Sequence, residues 1–81
     1  MSRKIYLFSG GGFVTAASPV EFVTKMHGSS LFNRYEDDRG FMCGVADRCH
    51  LDSAAHIRTD TAEHFLHDLV AHEYVIAINP N

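Results

Sequence analysis

Cysteine is scarce in this chain, with Cys43 and Cys49 the two present. Two are too few for the disulfide framework that holds small secreted domains together. They stand six positions apart, not at the C-x-x-C spacing of a redox pair. Positive charge is also sparse. Seven basic residues stand against ten acidic ones, for a net charge of −3. Arg3, Lys4, Lys25, Arg34, Arg39, Arg48 and Arg58 are scattered, without the clustered footprint of a nucleic-acid binder. Long apolar runs are missing as well. After Arg3 and Lys4 the run from Ile5 to Phe8 is too short for a signal peptide. No stretch approaches the ~18 apolar residues of a membrane span. These shortages predict a cytoplasmic protein with reduced thiols, and neither nucleic acid nor membrane as a partner.

Catalytic signatures are equally thin. Gly10-Gly11-Gly12 belongs to neither G-x-x-x-x-G-K-[ST] nor G-x-G-x-x-G, so a phosphate cradle gains no support. Ser9-Gly10 lacks the G-x-S-x-G setting of a hydrolase nucleophile. No enzyme activity and no cofactor is expected.

Apolar residues are plentiful. Their 46% share suits a folded domain and argues against disorder. No linker, repeat or low-complexity segment divides the chain, so residues 1–81 are expected to form a single domain. A chain of this length buries only roughly 60–65% of its unfolded surface, so its core is thin.

The clearest pattern lies between Thr59 and Ile78. Ala62, Phe65, Leu66, Leu69 and Val70 recur at helical spacing and share a face. Asp60 is placed to cap that helix, with Glu63 three residues on as in a capping box. His64, His67 and Asp68 fall on the polar face, and His72 near its border. Each histidine follows an acid by four residues (Asp60, Glu63 and Asp68), the spacing of neighbours on a helix surface. Tyr74 to Ile78 then reads YVIAI, a run suited to an inner strand buried on both faces. Pro80 stops it.

Elsewhere, Lys4 to Ser9 reads as a strand of β-prone residues, and the three glycines end it. Ser18-Pro19-Val20-Glu21 carries a cap, a proline at the first helical position and a capping-box acid. That predicts a helix to about His27, with Phe22, Val23 and Met26 inward and Gly28 as its stop. Ser29 to Asp37 reads as a loop. From Asp38 to Cys49 a helical period places Phe41, Met42, Val45, Ala46 and Cys49 together, whereas a strand would put Asp47 among apolar groups. The helix is preferred, capped by Asp37 or Asp38, with Cys49 buried and Cys43 outward. Leu51 to Ala55 reads as a turn and His56 to Arg58 as a short strand. The expected fold is a small α+β domain in the order β-α-α-β-α-β, its helices packed on a small central sheet. A strand in the middle segment would instead give a ferredoxin-like β-α-β-β-α-β.

By exclusion, the function expected is that of a small non-enzymatic protein-binding module, a regulator or inhibitor of a larger protein. Leu31, Phe32, Arg34 and Tyr35 are the candidate anchors, because aromatic and arginine residues are enriched at binding hot spots. Self-association into a homodimer through a sheet edge or apolar face would enlarge the thin core. The alternative is a metal protein. His64 and His67 lie one helical turn apart, and imidazole with carboxylate suits zinc.

Overall fold

In the computed structural model, which describes residues 3–28 and 37–78, the glycine run is the turn of a hairpin. Gly11 and Gly12 adopt φ of 105° and 88°, a region where a Cβ is penalised. The Phe8 N–H donates to the Gly12 carbonyl and the Gly11 N–H to the Phe8 carbonyl, both at 3.0 Å. The turn joins strand β1 (Lys4–Phe8) to strand β2 (Phe13–Ala16). Helices α1 (Pro19–His27), α2 (Asp38–Ser53) and α3 (Ala62–Ala71) follow, and strand β3 (Val75–Ile78) comes last. The three strands form an antiparallel sheet in the order β2-β1-β3. The α+β class, and the helices on one side of a small sheet, are as the sequence implies.

Alternation along the strands separates two faces. Tyr6, Ala16 and Val75 point toward the helices and are buried. Helix α1 packs against β2, and α3 against β3 and α1. Phe22 of α1 meets Tyr6 edge-on, with ring centroids 4.9 Å apart. Helix α2 lies on α1. Its Phe41 stacks on His27 at 5.1 Å and meets Phe65 of α3 at 6.3 Å. Phe22, Phe41 and Phe65 are fully buried, so these rings are the centre of the core.

The start signals of α1 and α2 hold, except that Glu21 takes the N–H of Ala17 and not that of the capping Ser18. Ser18 Oγ accepts the Glu21 N–H, and Pro19 occupies the first turn. Glu21 reaches back to the Ala17 N–H at 2.6 Å and also takes Arg3 at 2.6 Å. These donors hold its carboxyl below the usual range, the Ala17 bond most of all. Asp37 caps α2 through the Gly40 N–H at 2.7 Å. The middle segment is therefore a helix despite two glycines, and the ferredoxin-like order is not adopted. Phe41, Met42, Val45 and Cys49 are its buried face. Burial of that stripe outweighs the ~1 kcal/mol that each helical glycine costs.

Five details depart from expectation. Leu51 to Ser53 complete α2 where a turn was expected, because the helix continues until Ala54 takes the left-handed conformation at φ of 58°. Phe13–Ala16, to which the sequence pattern assigned no element, is a strand because the hairpin turn pairs it with β1. His56–Arg58 is not a strand. It is an extended connector whose Ala55 and Ile57 are buried. The cap of α3 is Thr61, one residue after Asp60, and its Oγ1 accepts the His64 N–H at 3.0 Å. Finally, β3 is an edge strand covered on one side, not an inner strand. Val75 is buried, whereas Ile76 is 55% exposed.

Candidate binding surface on the open face of the sheet

Ile5 and Leu7 of β1 point away from the helices. The register sets Thr15 and Ile78 on either side of Ile5, and Phe13 and Ile76 on either side of Leu7. The six side chains form two short rows across three strands. Five are large and apolar, and none is charged. Ile5, Leu7 and Thr15 are half-buried. Phe13 is 63% exposed, Ile76 55% and Ile78 39%. A sheet face of this composition ordinarily packs against another layer, and no helix or strand among the described residues lies over it. The sequence carried the signal only as apolar content within KIYLF, FVTA and VIAI. It was missed because an apolar run states a need for cover without stating which side has it.

The anticipated anchors Leu31, Phe32, Arg34 and Tyr35 lie outside the described residues. The histidine face of α3 is only partly assembled. His64 Nδ1 lies 2.9 Å from Asp60 Oδ1, and that ring holds the Asp60 carboxyl below its ordinary range. His67 is exposed one turn further on. Asp68 is not part of this polar face. It is 8% exposed and turned toward the 54–60 connector. There its carboxylate accepts hydrogen bonds from the Arg58 backbone N–H at 2.8 Å, Nε at 2.9 Å and Nη2 at 2.9 Å. These bonds hold its carboxyl far below the usual carboxylate range, the guanidinium foremost. Asp68 thus supplies the acceptor that a neighbouring strand would otherwise give Arg58.

A second group of potential ligands lies between α2 and the connector. Cys43, Asp47, His50 and His56 line one shallow concavity of about 230 Å³. Neither here nor on α3 do three or more His, Cys, Asp or Glu side chains converge in a way that could hold a metal ion, among the described residues.

A second concavity, of about 420 Å³, opens under the hairpin, with Phe8, Val14, Met26, Val45 and Leu69 among its walls. Cys49 and Tyr74 are its titratable members. Burial, the dominant effect, pushes the Cys49 thiol up and keeps it protonated. The Tyr74 hydroxyl is bonded to Ser53 Oγ and lies 3.4 Å from the Cys49 carbonyl, tying β3 to the end of α2. Neither group is placed as an acid–base pair. Among the described residues no helix is long and apolar enough to cross a membrane. Comparison with protein-family models, with curated proteins and with solved structures finds no match.

Proposed function

We propose that this chain is a non-enzymatic protein-binding module that docks through the open face of its sheet. One observation carries the reading. Phe13, Leu7 and Ile76 stand side by side in one row, and Ile5 and Ile78 in the next. Two members of the first row, Phe13 and Ile76, are more than half exposed. Apolar surface gains roughly 25 cal/mol for each Å² removed from water. Single exposed apolar residues are ordinary, but contiguous patches mark interaction surfaces. Leu51 is the contrast within the same molecule. It is 86% exposed, but it stands near the end of α2, apart from the sheet.

The test is site-specific photo-cross-linking in the cells that make the protein. A benzophenone side chain replaces Phe13 or Ile76, and Leu51 as control. Adducts to protein are expected from positions 13 and 76 and not from 51. Equal yields at all three positions, or none at 13 and 76, would overturn the proposal.

A further inference from the structure

We infer that the occupant of the open sheet face is a second copy of this chain, packed sheet against sheet about a two-fold axis that crosses the strands. The inference rests on the binding reading of the same face and names its partner.

The chemistry of the face argues for its own kind. Its six positions carry no charge, no arginine, no tyrosine and no tryptophan. Interfaces formed with independent partners are enriched in arginine, tyrosine and tryptophan. A face made of Ile, Leu, Phe and Thr resembles the interior of a permanent homodimer, which is close to a domain core cut in two.

Geometry agrees. A two-fold interface must be complementary to itself. The chosen axis runs between the two rows and exchanges them. Phe13 then faces Thr15 of the second copy, Leu7 faces Ile5, and Ile76 faces Ile78. The largest side chain meets the smallest, and each aliphatic residue meets another of similar volume. Two sheets of identical twist pack face to face at about 10 Å with strands about 30° apart.

Area is sufficient. From their exposures the six side chains offer on the order of 400 Å² per copy, as the core of an interface whose rim adds the hairpin and neighbouring backbone. Two copies then bury close to the ~1,000 Å² of total surface that marks the lower bound of specific association. A dimer dissociating in the micromolar range is expected. It gives this chain a four-layer core, helices–sheet–sheet–helices, in place of a sheet wet on one side.

Sedimentation equilibrium of the purified full chain tests the inference. The expected mass moves from the 9.0 kDa monomer toward twice that value as concentration rises. Ile76→Lys and, independently, Phe13→Lys should each weaken dimerisation at least tenfold while keeping the helical circular dichroism. Leu51→Lys should leave it unchanged. A benzophenone at position 13 should cross-link purified protein to a second copy, with the adduct mapping to the strand that holds Thr15. Two results are fatal. A monomer at every concentration with no self-adduct overturns the dimer, and if position 13 still captures another protein in cells, the binding module survives without it. A dimer insensitive to both lysine substitutions places self-association elsewhere and removes this face from it.

Discussion

At the scale of single residues, the most informative side chain is Asp68. Helical periodicity put it on the wet side of α3, and the fold turned it against the connector to receive three hydrogen bonds from Arg58. Hydrogen bonds to a charged group contribute about 1.5–3 kcal/mol. Asp68→Ala should therefore cost about 2–3 kcal/mol in urea unfolding, because it frees the Arg58 N–H as well as the guanidinium. The pH dependence has a definite sign. The carboxyl is held below its unfolded value, near ~4. Its contribution is complete above that value and is lost as pH falls toward the folded one. The urea midpoint of the wild type should drop more steeply below about pH 4 than that of Asp68→Asn, which has nothing to titrate there. Equal slopes would show that Asp68 is not the group responsible. The cysteines give a second residue-scale expectation. Cys43 is exposed and Cys49 buried. A thiol reagent should label Cys43 rapidly in the native protein and Cys49 only on unfolding. That division was legible in the sequence, because α2 carries both on opposite sides of one helix.

At the scale of elements, caps and turns decide. Thr61 rather than Asp60 receives the His64 N–H at the start of α3. Thr61→Ala should cost about 1 kcal/mol, measured by thermal or urea unfolding, and more than Asp60→Ala. The reverse order would reassign the cap. The sequence pattern pointed to Asp60, but threonine can cap as well, and the backbone conformation at entry selected the adjacent Thr61. In the hairpin, Gly11 and Gly12 have positive φ, and nothing lies within 4 Å of a Cβ at Gly11. Gly11→Ala should therefore cost about 1–2 kcal/mol from backbone strain alone, without a packing term. The hairpin itself was harder to read. FVTA is four residues long, too short for a period to declare itself, and its pairing depends on the turn before it.

For the whole molecule, stability centres on the layer between the sheet and the helices. Leu69 is 1% exposed and Leu66 7%. Leu69→Ala should cost about 2–5 kcal/mol in equilibrium unfolding, with Leu66→Ala toward the lower part of that range. The opposite side of the sheet behaves differently in isolation. Ile76 lies outside that layer, so Ile76→Lys should change the unfolding free energy far less than Leu69→Ala.

The helices α1, α2 and α3 and the apolar residues of their buried faces were determined by the sequence alone. A helix closes its hydrogen bonds within four residues, so spacing, capping residues and charge order suffice to announce it. The sheet was decided only in three dimensions. Its bonds join segments as distant as Ile5 and Ile78. An apolar run such as VIAI therefore shows that burial is favoured, but not whether its neighbours cover one side or two. That is why β3 proved an edge strand, why Asp68 proved a clamp, and why the apolar face offered as the binding surface became visible only with the tertiary structure.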